Sequence, residues 1–133
     1  MVGRINGTCT GVRGVGVDIV KVERFKNVTE SFYEKIFTTR EREYLHNKPA
    51  ESMAGLFAAK EAVAKAVGTG FSGFFPRDIE ILHKQSGKPY VVLHGNAKKA
   101  TKKIAAKGRR FCIHISISHT KTDAIAYACV ERC

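Results

Sequence analysis

The sequence predicts an α+β fold in which an antiparallel sheet packs on one long central helix. Two pairs of strand-like runs, each joined by a short turn, predict the antiparallel sheet. An alanine-rich stretch that is apolar on more than one side predicts a helix that the remaining elements enclose. The chain has 133 residues, a length that suits one domain, and we place no domain boundary within residues 1–133.

The N-terminal third is predicted to form a strand followed by short helices. Residues 11–23 are rich in β-branched side chains and lead into a loop or a short helix. Residues 24–37 carry apolar side chains at helical spacing. Thr38 and Glu41 fit a capping box, which predicts that another short helix begins there.

The central helix is predicted to run to about Val67, where Gly68 provides a C-terminal stop. Asn47 or Ser52 is the expected cap at its beginning, with Pro49 tolerated in the first turn. Because apolar side chains occupy more than one of its faces, we expect this helix to be largely buried.

The C-terminal half is predicted to contain two strand pairs separated by a helix. Residues 78–84 and 89–94 flank a Gly-containing turn and predict a β-hairpin. Residues 96–108 form a helix with one alanine-rich face and lysines around the rest. Residues 111–119 and 123–131 close the chain as two strands.

The charge of the chain favours a polyanionic partner. Its 23 basic and 12 acidic residues give a net charge of +11. Nucleic acid, an anionic membrane surface, a phosphate-rich cofactor and an acidic protein are all compatible with that charge. Residues 1–20 lack the apolar core of a signal peptide, and no stretch reaches the roughly 18 apolar residues of a membrane span. We therefore expect a soluble, cytoplasmic protein with no membrane partner.

The four cysteines show no metal-binding or redox spacing. No pair among Cys9, Cys112, Cys129 and Cys133 forms C-x-x-C, and no nearby histidine completes a zinc pattern. Cys112 and Cys129 lie in apolar, strand-like runs, where we expect reduced thiols.

Two carboxylates lie inside apolar runs. Glu61 falls on an apolar stripe of the central helix, and Asp18 lies within the first predicted strand. A surface pair between Glu61 and Lys65, worth about 0.2–0.5 kcal/mol, is one explanation. The alternative is that the two acids meet and bind Mg²⁺, which typically takes one or two protein carboxylates. Lys60 and Lys65 would then suit substrate phosphates.

The turn after the central helix adds to this second explanation. Gly68, Thr69 and Gly70 offer backbone N–H groups of the kind that bind phosphate. Together with the two acids and the lysines, they suggest metal-assisted phosphoryl chemistry.

Three motifs carry a resemblance to a known family. They are GVGVDIVKVER (14–24), FAAKEAVAKAVGTG (57–70) and ISISHT (115–120), supported by SGKPYV (86–91). On these motifs the chain resembles the holo-[acyl-carrier-protein] synthases, the short single-domain type of 4′-phosphopantetheinyl transferase. The similarity extends from Gly14 to Glu131, and residues 1–13 lie outside it.

The resemblance implies a specific reaction. Such enzymes move the 4′-phosphopantetheine arm of coenzyme A to a serine of an apo acyl carrier protein and release adenosine 3′,5′-bisphosphate. They depend on Mg²⁺ and support fatty acid biosynthesis. The resemblance to short members of the family also implies a homotrimer whose active sites lie between subunits.

The resemblance also assigns roles to residues of this chain. The metal ligands fall on Asp18 and Glu61, which together with Lys65 are the expected catalytic residues. The expected coenzyme A contacts are Lys65, Gly68, Thr69, Gly70, Lys88, Pro89, Ser116, Ser118, His119 and Thr120. The expected docking surface for the acidic carrier consists of Lys21, Arg24, Phe25 and Lys26. Glu61, a metal-bound water and Asp18 acting through water all remain candidates for the general base.

One position departs from the family pattern. Many relatives have arginine five residues before the motif glutamate, where this chain has Leu56. A basic contact with coenzyme A is therefore either missing or supplied from elsewhere, for example by Lys48.

Two other classes of function remain as alternatives. A small nucleic-acid-binding module would explain the charge and the basic run between residues 98 and 110. It would not explain Asp18 and Glu61, and the basic run lacks the aromatic residues that stack on bases. A non-catalytic adaptor for acidic helices would need no metal site. We therefore expect an enzyme with no nucleic-acid partner.

Overall fold

The computed structural model describes residues 11–68, 73, 75–104 and 110–133, and it has the predicted α+β architecture. The strands are β1 (Val12–Lys21), β2 (Ile79–His83), β3 (Pro89–Leu93), β4 (Phe111–His119) and β5 (Asp123–Arg132). The helices are α1 (Glu30–Ile36), α2 (Thr39–Leu45), α3 (Ala50–Val67) and α4 (Gly95–Ile104), with two 3-10 helices at Val22–Phe25 and Pro76–Asp78. No helix among these described residues is long and apolar enough to span a membrane.

All strand pairings are antiparallel, and the strands divide between two sheets. The first sheet has the order β1-β5-β4, and the second is the hairpin β2-β3. Both predicted hairpins are confirmed, since β2 pairs with β3 and β4 pairs with β5. The pairing of β1 with β5 joins the two ends of the chain and places Asp18 opposite Ala126.

The first sheet lies against α3 through a face of very small side chains. Ala124, Ala126 and Ala128 are almost fully buried on this face. On β1, a Cβ atom at Gly14 or Gly16 would collide with backbone carbonyl oxygens of α3. Glycine at these positions therefore allows β1 to lie directly on the helix.

The prediction that α3 is enclosed is confirmed, and so is its end. Twelve of its 18 residues are buried. Gly68 adopts a left-handed φ of 96° at the C-cap, a conformation that glycine adopts without steric cost. The predicted N-terminal cap is wrong, because Pro49 occupies that position and makes no side-chain cap. Asn47 instead has a φ of 63° in the turn that follows α2.

The short helices follow local capping signals. The capping box of Thr38 and Glu41 is present at the start of α2, as predicted. The helical pattern of residues 24–37 is interrupted, because the Thr29 side chain accepts a hydrogen bond from the Phe32 amide and begins α1 there. Arg24 and Phe25 belong to the preceding 3-10 helix, and Lys26 and Asn27 form a turn.

The prediction that Cys112 is a free thiol is wrong in this structure. Its sulfur is bonded to that of Cys133, while Cys129 remains free as predicted. The cause is the register of β4 and β5, which pairs Phe111 with Arg132 and brings the end of the chain beside Cys112. The two cysteines lie 21 positions apart, which conceals this proximity in the sequence.

Glu80 joins the hairpin to α2 and to the start of α4. Its buried carboxylate accepts hydrogen bonds from Thr38 (2.5 Å) and Arg40 (2.8 Å), and His94 lies 2.9 Å away. Burial raises the pKa of Glu80, but the bonds from Thr38, His94 and Arg40 outweigh burial and lower the pKa to about 2.

We expect Glu80→Gln to destabilise the protein by about 1–3 kcal/mol at neutral pH, since it weakens buried charge-assisted hydrogen bonds. A depressed acid pKa contributes stability above the unfolded-state value, and that stability is lost as pH falls. The difference between wild type and variant should therefore narrow between about pH 4.5 and pH 2. Urea unfolding of both proteins at a series of pH values measures this difference in the free energy of unfolding. A difference that stays constant with pH would contradict this role of Glu80.

Candidate active site

Asp18 lies on the face of β1 that meets α3. Its neighbours Val17 and Ile19 point to the opposite, exposed face, because side chains alternate along a strand. Asp18 Oδ1 accepts a hydrogen bond from Lys65 Nζ at 3.1 Å, and Lys65 also donates to the Val17 carbonyl at 3.0 Å. Asp18 Oδ2 is buried and has no hydrogen-bond partner among the described residues. This carboxylate therefore has one oxygen available for a cation.

Glu61 lies on α3 one turn before Lys65, close enough to Asp18 for the two charges to interact. Burial raises the pKa of Glu61, and the negative charge of Asp18 raises it further. Lys65 and Arg24 lower the pKa in part. Among the described contacts Lys65 is bonded to Asp18, so the alternative of a simple Glu61–Lys65 surface pair is not what the structure shows.

The pair of carboxylates fits a hard divalent cation. A cation between them would bond the unpartnered Asp18 oxygen and relieve the repulsion that raises the pKa of Glu61. The described residues contain no group of three His, Cys, Asp or Glu side chains that could hold a metal. Two carboxylates suit Mg²⁺, which completes its shell with waters and substrate phosphates.

Three basic residues lie at or just after the end of β1, and one of them, Arg24, is close enough to Glu61 to lower its pKa. The Arg24 guanidinium lies 5.5 Å from the centroid of the Phe57 ring and 5.6 Å from that of Phe25. Lys21 and Lys26 are exposed and form ion pairs with Asp123 and Glu23, respectively.

Phe25 does not offer the exposed apolar anchor that the sequence suggested. It is 3% exposed and packs on Phe57, with the ring centroids 5.2 Å apart. Its ring therefore supports Arg24 from the core, and a direct contact between Phe25 and a carrier does not fit its burial.

A groove of about 190 Å³ lies beside the β4 edge of the first sheet. Pro89 and His119, two of the predicted coenzyme A contacts, line it together with Leu56. Tyr44 and His83 form one wall, with their rings stacked 4.0 Å apart. Sequence reasoning missed these last two residues, because they come from different elements and belong to no motif.

Charges of both signs lie near this wall, since Glu51 lines the groove and Lys48 lies against Tyr44. Lys48 Nζ lies 4.7 Å from the centroid of the Tyr44 ring. Burial lowers the pKa of His83, and the charge of Lys48 lowers it further. A lysine is thus present beside the groove that Leu56 lines.

Three of the predicted coenzyme A contacts are not among the residues that line the groove. Ser116 and Ser118 are exposed on the outer face of β4, opposite the face that carries His119. Thr120 accepts hydrogen bonds from the amides of Thr122 and Asp123 and so stabilises the β4–β5 turn.

The remaining predicted contacts lie at the two turns. Lys88 is exposed in the β2–β3 turn, and Gly68 ends α3. Thr69 and Gly70 lie outside the described residues.

Lys60 cannot contact a phosphate, contrary to the sequence prediction. Its side chain is fully buried, and its ammonium group bonds Glu41 at 2.7 Å. The carbonyls of Ile79 (2.6 Å) and Pro76 (3.1 Å) accept its other two hydrogen bonds. The sequence does not distinguish this lysine from Lys65, because both lie in the same apolar helix.

Comparison with known families identifies close relatives. The family model described as the 4′-phosphopantetheinyl transferase superfamily matches residues 14–125. The chain is 45% identical over 123 residues to a protein of Clostridium perfringens named holo-[acyl-carrier-protein] synthase, covering 89% of this chain and 92% of the relative. It is 50% identical over 123 residues to the protein of the same name from Clostridium kluyveri, covering 89% of each chain.

A solved structure has the same fold. The holo-(acyl-carrier-protein) synthase of Bacillus anthracis, in complex with CoA (3′,5′-ADP), matches with a TM-score of 0.76 and 32% identity. The match covers 93% of this chain and 100% of that chain.

Proposed function

The chain belongs to the 4′-phosphopantetheinyl transferase superfamily, and we propose that its carboxylate site catalyses the reaction of the holo-[acyl-carrier-protein] synthases. The enzyme transfers the 4′-phosphopantetheine group of coenzyme A to a serine of an apo acyl carrier protein. Adenosine 3′,5′-bisphosphate is released, and the modified carrier serves fatty acid biosynthesis. The observation that carries the proposal is the cluster of Asp18, Glu61 and Lys65.

Asp18 and Glu61 are the residues that would hold Mg²⁺. When bound, the ion neutralises the negative charge that develops on phosphate oxygens during phosphoryl transfer. Lys65 has three ammonium protons, two of which bond Asp18 and the Val17 carbonyl. The third can bond a phosphate oxygen of coenzyme A.

In the transfer step the serine oxygen bonds to the β-phosphorus while the bond from that phosphorus to the bridging oxygen breaks. Lys65 stabilises or protonates the leaving phosphate. The group that accepts the serine proton stays open between Glu61 and Asp18, acting directly or through a water, because both carboxylates lie at this site.

The groove is our proposed site for the nucleotide end of coenzyme A. Pro89, His119 and Lys88 lie in or beside it, in agreement with the contacts expected from the family. Lys48 supplies a positive charge in place of the arginine that Leu56 replaces. Arg24, Lys21 and Lys26 form the proposed docking surface for the acidic carrier, where rim charges mainly raise the association rate.

A second copy of the chain is the proposed occupant of the exposed apolar face of the first sheet. Val15, Val17 and Ile19 of β1 are all more than half exposed there, and Tyr127 of β5 is 46% exposed. A contiguous apolar patch of this kind marks an interaction surface. Ser118 lies on the same face, which would let it reach a neighbouring subunit.

The positions of the carboxylate cluster and of the groove favour a ring of subunits. Asp18 lies on β1, at one edge of the first sheet, and the groove lies beside β4, at the other edge. Head-to-tail contacts generate closed rings when the rotation closes. Such a ring, a homotrimer in this family, would place the carboxylates of one copy beside the groove of the next.

We expect Ile19→Lys to disrupt this assembly, because it would bury an unpaired charge in the interface. Light scattering on the purified variant should report the monomer mass, and wild type the trimer mass. Ser31→Lys, which adds the same charge on the exposed side of α1, is the control and should remain trimeric. An unchanged mass for Ile19→Lys would show that β1 is not in the interface.

The proposed location is the cytoplasm, where coenzyme A and the apo carrier are available to the enzyme. Thiols are kept reduced in that compartment. We therefore expect the Cys112–Cys133 bond of the structure to be reduced to two thiols there.

Mass spectrometry of an apo carrier tests the function directly. Incubation with the protein, coenzyme A and Mg²⁺ should add one phosphopantetheine group to the carrier and produce adenosine 3′,5′-bisphosphate. No mass change under conditions in which a related synthase modifies the same carrier would refute the function.

A further inference from the structure

Lys60 and Glu41 form a fully buried ion pair that the transfer chemistry does not use. Both side chains are 0% exposed, and Lys60 Nζ lies 2.7 Å from Glu41 Oε1. The three ammonium protons of Lys60 match three acceptors, which are Glu41 and the carbonyls of Pro76 and Ile79. Glu41 in turn accepts from the Thr38 amide at 2.9 Å and the Ile81 amide at 2.7 Å. Apart from the Thr38 bond, which belongs to the capping box of α2, the bonds of the pair connect α3, α2, the Pro76–Asp78 3-10 helix and β2.

The pair links α3 to an element that has no backbone ladder with the rest of the fold. The β2–β3 hairpin forms its own sheet, separate from β1-β5-β4. Among the hydrogen bonds of the described residues, those that join α3 to β2 come from Lys60, directly to Ile79 and through Glu41 to Ile81. The pair therefore adds directional bonds to the apolar packing of Ile79 and Ile81, which are fully buried in the same core as α3.

Net stability does not explain why this pair is present. Two buried charges lose their hydration, and replacing such a pair by apolar side chains of similar volume is often neutral or stabilising. Burial lowers the pKa of Lys60, while Glu41 opposes that shift. What the ion pair provides and an apolar pair does not is a defined set of directions and distances between its partners.

The elements that the pair connects are the walls of the groove. Tyr44 comes from α2, Leu56 from α3 and His83 from β2, and all three line it. Glu61 is the next residue after Lys60. Successive side chains of a helix differ by about 100° around its axis, so Glu61 points toward β1 and not toward the hairpin.

We propose that Lys60, through Glu41, is a positioning residue that holds the hairpin at the distance from α3 at which the groove fits coenzyme A. The inference rests on the proposed function, because it takes coenzyme A as the ligand of the groove. Lys60 touches no substrate and acts through α2 and β2.

The test uses the double variant Lys60→Met/Glu41→Gln, which removes both charges, keeps side chains of similar size and leaves no single charge buried. The matched control is Lys98→Met, the same substitution at an exposed lysine of α4. Wild-type transfer is measured first, and its absence would refute the proposed function without bearing on the pair.

We expect the double variant to fold and to raise KM for coenzyme A at least tenfold. Its kcat at saturating coenzyme A and its KM for the carrier should stay within about twofold of wild type. Titration calorimetry with coenzyme A, without carrier, should show the same loss of affinity. The control should match wild type in every value.

Three outcomes would overturn the proposal. The first is an unchanged KM for coenzyme A in a folded double variant. The second is an equal loss in kcat and in both Michaelis constants, which would indicate general damage. The third is failure to fold, because the proposal assigns the pair a positional effect and little net stability.

Discussion

Asp18→Asn and Glu61→Gln are each expected to lower kcat by about 10²–10³-fold, because each removes a proposed ligand of the ion that stabilises the transferred phosphate. Loss of several kcal/mol of such stabilisation, at 1.36 kcal/mol per tenfold, corresponds to an effect of this size. The asparagine amide also places an N–H group where the unpartnered Asp18 oxygen lies now. Turnover is measured by carrier mass shift across a Mg²⁺ titration.

Stability separates this loss from unfolding. The raised pKa of Glu61 means that burial and Asp18 disfavour its ionised form in the folded, metal-free protein. Glu61→Gln removes that repulsion, so its melting temperature without Mg²⁺ should equal or exceed that of wild type. Mg²⁺ should raise the melting temperature of wild type but not of this variant.

Glu34→Gln, a change of the same kind on the exposed side of α1, is the control and should keep full activity. Wild-type turnover by either site variant at limiting Mg²⁺ would exclude that residue as a metal ligand.

Gly16→Ala is expected to reduce both stability and activity, although it adds only one methyl group. Its Cβ would meet the Ala62 carbonyl oxygen, the Ala66 amide and, at 3.0 Å, Lys65 Cβ. Two of these neighbours are backbone atoms of α3, so β1 and the helix must separate. Overpacking of this kind costs about 1–3 kcal/mol, and the separation would also move Asp18 away from Glu61.

Urea unfolding and turnover at a temperature where the variant is folded measure the two effects of Gly16→Ala. Gly11→Ala is the matched control, since the nearest atom to its Cβ is 4.0 Å away, and it should change stability by no more than about 0.5 kcal/mol. Equal stability and activity of the Gly16 and Gly11 variants would mean that close contact between β1 and α3 does not position the site.

The sequence predicted those features that depend on near neighbours in the chain. Thr38 caps Glu41, three residues away, and Gly68 ends α3 because of its own backbone conformation. The two hairpins follow from strand-like runs beside short turns. The motifs around Asp18 and Glu61 also pointed to the family, since they are short, ordered stretches of sequence.

Features that depend on distant partners were decided only by the tertiary structure. Lys60 and Lys65 are five residues apart in one apolar helix, so composition and periodicity describe them alike. In the packed structure Lys60 donates a hydrogen bond to Glu41, 19 residues away, and Lys65 donates one to Asp18, 47 residues away.

The same reason applies to the errors in the prediction. The free thiol predicted for Cys112 was wrong because strand register brings Cys133 beside it. Phe25 was misplaced because α3 supplies Phe57 to cover it. A local pattern can show that a residue is apolar or charged, but its partner is set by which elements pack together.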